Sequence, residues 1–95
     1  MKLNWHCFFG VLETVQNYST VTASLSYNIF DGLVEKYGKD QVDYCIHQAS
    51  ENGLLLGGAF DAQGTFIGVS DLSLAGHEYL LNKERLLASE SPQDE

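Results

Sequence analysis

Cations are scarce in this chain, and their placement excludes more than their number does. Five Lys and Arg stand against 13 Asp and Glu, for a formal charge of −8. Such a balance gives no general attraction to nucleic acid or to an anionic membrane, because both are bound through basic side chains. No Lys or Arg occurs from Asp40 to Asn82, a stretch that holds Asp40, Asp43, Glu51, Asp61, Asp71 and Glu78. Proline occurs once and cysteine twice, which excludes collagen-like and disulfide-scaffold classes. Long apolar runs are missing too. Near the start the longest, Cys7 to Leu12, is interrupted by Gly10 and closed by Glu13. A secretory core needs about 7–15 apolar residues and a membrane span about 20. Trp5-His6 before Cys7 is not the small-residue context of a lipoprotein cleavage site. The expectation is a cytoplasmic protein with free thiols. Metal-ligand spacing is absent as well: Cys7 and Cys45 lie far apart in sequence, and His6, His47 and His77 form no i, i+4 pair.

What is present is a foldable core. The 95 residues suffice for one domain, and a hydrophobic fraction of 44% lets it bury roughly two-thirds of its unfolded surface. Residues 1–88 are expected to form that domain and 89–95 an acidic, frayed tail. In the first segment Trp5, Phe8, Phe9, Leu12 and Val15 share one helical stripe. Asn4 suits its N-cap, Asn17 its stop, and Gly10 falls on the opposite face. Cys7 lies off the stripe and is expected to be exposed. Ser19 to Ser26, rich in Thr, Ser and Val, reads as a short strand or extended connector. Ser26 then caps a helix over Tyr27 to Tyr37, with Gly38 after its end. Asp40 caps the next, Gln41 to Asn52, whose Val42, Cys45, Ile46 and Ala49 face the core. Leu54 to Phe60, a turn at Asp61 to Gly64, and Thr65 to Val69 form a β-hairpin. Asp71 or Ser73 caps a last helix, Leu74 to about Leu87.

Helix, short strand, helix, helix, hairpin, helix is the order of a winged helix-turn-helix, an α+β and mainly helical class. The third helix would face a groove and the hairpin would be the wing. The first helix is expected to pack on the last, with Trp5, Phe8, Phe9 and Leu12 meeting Leu74, Leu80, Leu81 and Leu87. A stripe wider than the monomer covers would make a homodimer through these terminal helices.

The run Leu72-Ser73-Leu74-Ala75-Gly76-His77-Glu78-Tyr79-Leu80 resembles the closing motif of a family of small, single-domain bacterial and phage proteins. That motif is leucine, threonine or serine, two variable residues, Gly-His-Glu, an aromatic and leucine. The helix around Val42, Tyr44 and Ile46, the exit at Glu51, Gly53 and Leu54, and the Met-Lys-Leu-Asn start are similar to the same family. Departures fall at Cys45, His47 and Gln48-Ala49. The resemblance covers about half the chain. It implies a winged-helix-like fold and a phage or prophage setting, and it implies no activity.

The chemistry-bearing patterns are weak. His77-Glu78 begins like the zinc-peptidase pattern His-Glu-x-x-His, but position 81 is Leu. His77 is better read as a half-buried histidine tying the last helix to the hairpin or first helix, with Glu78 pairing a nearby donor or Lys83. Gly76, His77 and Glu78 are therefore a structural motif. Gly57-Gly58 opens no phosphate loop. No catalytic residue, metal site or cofactor is expected, and the chain is not read as an enzyme.

A winged helix that binds DNA needs cations on its third helix and wing, with Arg, Asn or Gln to read bases. Here only Gln41, Gln48 and Asn52 offer such groups. The outer face of the third helix, Asp43, Tyr44, His47, Gln48 and Glu51, instead suggests a surface for an unidentified protein partner, Tyr being common at interface centres. The leading expectation is a non-enzymatic interaction or regulatory module of phage type. The alternatives are a DNA-binding regulator using Lys2, Lys36, Lys39, Lys83 and Arg85, and an acidic mimic of DNA.

Overall fold

A computed structural model of the chain describes residues 1–20, 24–57, 59–83 and 85. Its described residues form an α+β, mainly helical fold of four α-helices and a two-stranded antiparallel sheet. The α-helices are α1 (Trp5–Tyr18), α2 (Asp31–Tyr37), α3 (Lys39–Glu51) and α4 (Leu74–Leu81); the strands are β1 (Leu55–Leu56) and β2 (Asp71–Leu72). None of the described helices is long and apolar enough to cross a membrane.

The first helix is the hub. Asn4 caps it as the sequence suggests, its Oδ1 accepting the Cys7 amide at 3.1 Å. The helix runs past Asn17 to Tyr18. Its buried set is wider than one stripe: Cys7, Phe8, Phe9, Val11, Leu12 and Val15. The expectation that Cys7 is exposed is wrong, because α3 covers the flank of α1 on which it stands; Cys7 is 0% exposed. Gly10 does not face away from the fold either. A Cβ there would stand 2.9 Å from Cδ2 of Leu33, so α2 lies against that side of α1. With α2, α3, α4 and β2 all packed on it, α1 has little face left for water.

Between α1 and α2 the expected single helix divides. Tyr27–Phe30 is a 3-10 turn, and α2 begins at Asp31. Ser26 does not cap it: its Oγ donates to Asn28 Oδ1 at 2.6 Å and accepts no backbone amide of the turn. Of the expected strand or extended connector over Ser19 to Ser26, the described residues show Leu25 paired with Val69 in an isolated antiparallel bridge. Val21, Thr22 and Ala23 lie outside the described residues.

Gly38 both ends α2 and starts α3. At φ 91° it donates to Val34 O at 2.8 Å, and its own carbonyl accepts from Val42 at 3.1 Å. The cap position is therefore Gly38, and Asp40 sits inside the first turn of α3, not at its cap. An acid there meets the positive end of the helix dipole favourably. The buried face of α3 is the expected one: Val42, Cys45, Ile46 and Ala49.

Among the described residues the hairpin is paired in three places, and its second strand is Asp71–Leu72, beyond the expected Thr65 to Val69, where only the Phe66 and Val69 bridges form. Leu55 faces Leu72, Leu56 faces Asp71, and Phe60 bridges Phe66 near the tip. The turn is built by Asp61, whose Oδ1 accepts both the Gln63 and Thr65 amides at 2.9 Å. Leu25 lies alongside Val69, so three stretches of extended chain adjoin one another.

In α4, Ser73 is the cap, accepting the Gly76 amide at 3.0 Å. The helix runs to Leu81, and Lys83 and Arg85 beyond it are again helical; Leu87 and 89–95 lie outside the described residues. Its packing face also differs from expectation. Leu74 and Leu81 are 76% and 85% exposed. Tyr79 takes their place against α1, stacked on Trp5 at 6.5 Å and edge-on to Phe8 at 5.7 Å, with Leu80 half-buried. An alternation of leucines in the sequence does not say which side of a short helix an aromatic cluster will claim.

Candidate interaction surface

The outer face of α3 and the hairpin enclose a groove of about 290 Å³. Asp40, Asp43, Tyr44 and His47, one i, i+3, i+4, i+7 stripe, supply its helical wall. Phe60 and Gly64 of the hairpin and Met1 complete it.

An aromatic row holds the hairpin at this distance from α3. It runs from Phe30 to Tyr27 (5.8 Å), to Phe66 (5.4 Å), to Phe60 (5.6 Å) and to His47 (5.2 Å), every step edge-to-face. These geometries align ring edges with the negative faces of their neighbours. One carboxylate anchors the row. Asp43 Oδ1 accepts the Tyr27 hydroxyl at 2.5 Å, and its Oδ2 accepts Lys39 Nζ at 2.7 Å. Burial, and then the neighbouring Asp43, push the Tyr27 phenol well above its ordinary value, because both disfavour a phenolate there.

Three of the expected surface residues, Asp43, Tyr44 and His47, are brought together in this groove. Gln48, half-buried, and Glu51, exposed, lie beyond it on α3. Sequence reasoning missed Asp40, Phe60, Gly64 and Met1 as lining residues. Asp40 was open to discovery, since it stands one turn before Asp43 and Tyr44; its assignment as a cap hid it. Phe60 and Met1 required the tertiary fold.

Two of the three potential base readers are engaged elsewhere. Gln41 does not face outward to read an edge: its Nε2 donates to Lys2 O at 3.3 Å, and its Oε1 accepts from the Asn4 amide at 3.3 Å. It therefore fastens the N-terminal segment to α3. Asn52 donates to Gln48 O at 2.8 Å, closing the end of α3. Of the cations, Lys39 is paired with Asp43 and stands 5.0 Å from the Tyr27 ring centre, Lys36 stands over Tyr37, and Lys83 pairs with Glu13. No Lys or Arg lines the groove.

Gly76, His77 and Glu78 have structural surroundings. A Cβ at Gly76 would collide with the Leu54 carbonyl oxygen, so the start of α4 lies directly on the chain leaving α3. His77 Nδ1 hydrogen-bonds Gln16 Nε2 at 3.3 Å, joining α4 to α1 through a side chain. Glu78 is exposed, and Lys83 turns to Glu13 instead of to it.

Cys7 and Cys45, distant in sequence, meet in the core as free thiols. Cys45 donates to Gln41 Oε1 at 3.3 Å. The proximity of the two thiols pulls Cys7 below its ordinary value and pushes Cys45 up, burial opposing ionisation at both. Both are 0% exposed, which keeps substrates from either sulfur. Among the described residues no cluster of three or more His, Cys, Asp or Glu is arranged to hold a metal ion.

No family model, no curated protein and no solved structure matches the chain.

Proposed function

We propose that this chain is a non-enzymatic protein-interaction or regulatory module on a winged-helix-like scaffold, of phage or prophage type and acting in the bacterial cytoplasm. The observation that carries the reading is the groove between α3 and the hairpin, whose side-chain lining combines two carboxylates with Tyr44, His47 and Phe60 and includes no Lys or Arg. Aromatic walls with a polar tip favour protein contacts. The winged-helix scaffold is supported by the order of the helices, by the hairpin after α3, and by the Leu25–Val69 bridge that adds a third extended stretch. The Gly-His-Glu resemblance supports the phage setting.

A DNA-binding regulator would need phosphate contacts on the same surface, and strong binders make about six to ten. Titration of random and host-genome duplexes at low and moderate salt tests this directly. The expected result is no sub-micromolar binding. Sub-micromolar binding that persists at moderate salt and is lost in Gln48→Ala would overturn the reading. In parallel, host extract is passed over the immobilised full chain and over His47→Lys, an exposed substitution on α3. The expected result is a protein retained by the first and released by the second.

A further inference from the structure

We propose that the groove between α3 and the hairpin receives an arginine side chain presented by the partner protein. This rests on the interaction reading above and names what that surface recognises. Three observations carry it.

The first is complementarity of charge. The charged side chains that line the groove are Asp40 and Asp43, with no Lys or Arg among them. Asp43 is already engaged, one oxygen by Tyr27 and the other by Lys39. Asp40 is exposed, and its carboxylate makes no hydrogen bond or ion pair with any described residue. It is the carboxylate left to meet an incoming cation.

The second is the nature of the walls. Tyr44, His47 and Phe60 line the same groove, and His47 and Phe60 meet edge-to-face at 5.2 Å. A cation over an aromatic face is attracted by the ring quadrupole. Guanidinium suits this site better than ammonium, because its plane stacks on rings while its N–H fork bonds a carboxylate. The protein already uses this chemistry next door, where Lys39 stands 5.0 Å from the Tyr27 ring and pairs with Asp43.

The third is size. About 290 Å³ lies at the lower edge of the roughly 300–1,000 Å³ of small-molecule pockets. That is room enough for one long side chain. The rest of the partner would lie over Gln48 and Glu51, which continue the same helix face.

The test is a titration of the isotope-labelled full chain with butylguanidinium, followed by amide chemical shifts, against butylurea as the neutral isostere. The expected result is saturable shifts confined to Asp40, Tyr44, His47, Phe60 and Gly64, with butylurea much weaker. Asp40→Asn should weaken guanidinium binding about fivefold, as the loss of a single partly exposed ionic contact does. Glu35→Gln removes the same charge from the exposed face of α2 and should leave binding unchanged.

Equal response to butylurea, shifts scattered over the acidic surface, or the same loss in Glu35→Gln as in Asp40→Asn would each overturn the proposal. So would tighter binding of spermidine than of a short arginine-containing peptide, which would assign the groove to free polyamines. If guanidinium binding is absent while His47→Lys still releases a captured partner, this proposal fails and the interaction reading stands. If duplex binding appears as described above, the interaction reading fails on its own measurement.

Discussion

Two aromatic clusters divide the labour in this protein. One joins α1 to α4 through Trp5, Phe8, Phe9 and Tyr79. The other runs from the 3-10 turn through the hairpin to α3, by way of Phe30, Tyr27, Phe66, Phe60 and His47. Both use edge-to-face rings at similar spacings, to which the first adds tilted pairs and the stacked Trp5–Tyr79 contact. Their surroundings differ. The first is closed around Phe8 and Phe9, which are 3% and 2% exposed, and only apolar side chains meet it from the core. The second is closed at Phe30 and opens progressively to an exposed His47, with a carboxylate bonded into its middle. Ring packing that seals a core at one cluster thus builds a groove wall at the other. The first should carry stability and the second recognition.

The largest expected effect breaks the first cluster. Phe9→Ala removes a ring that is fully enclosed by α1, α4 and the core, and should cost about 3–5 kcal/mol. Phe60→Ala, on a half-buried ring, should cost only about 1–2 kcal/mol. Urea denaturation of both variants measures the difference. Equal losses would show that the groove wall is as structural as the core and would remove the basis for separating the two.

Next comes the contact that seats α4 against the chain leaving α3. Gly76→Ala places a methyl into the Leu54 carbonyl, which is backbone and cannot swing aside. Overpacking of this kind costs about 1–3 kcal/mol. Gly10→Ala meets only the end of the Leu33 side chain, which can rotate, and should cost clearly less. Thermal unfolding of the pair checks the order. A Gly76→Ala variant with an unchanged Tm would mean that α4 does not sit so close to Leu54.

The sequence carried the helices well where one face is apolar and the other polar. For α3 the expected buried set, Val42, Cys45, Ile46 and Ala49, is the observed one, since its acids and amides leave no second apolar face. For α1 the same periodicity misled. Cys7 falls outside the stripe and is buried all the same, as is Val11, because a central helix is covered on several sides and periodicity cannot count its neighbours. In α4 the leucines suggested one face and Tyr79 defines another, because the partner surface on α1 is itself aromatic. The candidate surface was half visible. Asp43, Tyr44 and His47 follow from helical spacing, but Phe60 and Met1 reach the groove only through long-range folding, and Gln41 was drawn inward by the N-terminal segment. The meeting of Cys7 with Cys45 had no local signal at all.

A smaller effect sharpens the contrast through pH. Tyr27 is the polar link of the second cluster, and its phenol is raised above the ordinary value of 10.0 by burial and by Asp43. A raised value in the folded state means stability that is complete below pH 10 and lost as pH climbs through the higher folded value. Tyr27→Phe should cost about 1 kcal/mol at neutral pH, for the lost hydrogen bond. Above the ordinary phenol range its stability should then fall less steeply than that of the unaltered protein. Tyr79, raised by burial alone, leaves both proteins some alkaline loss. Urea midpoints one unit below and one unit above the ordinary tyrosine value read the effect. Parallel decline in the two proteins would show that the Tyr27–Asp43 bond does not hold the groove wall.

The smallest expected effect lies at the rim of the groove. Lys39 pairs with Asp43 at 2.7 Å, but its side chain is 66% exposed. An exposed i, i+4 pair on a helix contributes about 0.3–0.5 kcal/mol and is screened by salt. Lys39 is also the first residue of α3, where a cation opposes the positive end of the helix dipole. The two terms have opposite signs and similar size. Lys39→Gln should therefore change stability by less than about 0.5 kcal/mol, with little dependence on ionic strength. Asp43 keeps its bond to Tyr27 in that variant, so the aromatic row retains its anchor. Denaturation at low and high salt measures the change. A loss above about 1 kcal/mol would place Lys39 among the supports of the second cluster, and the rim of the groove would then be part of the structure it borders.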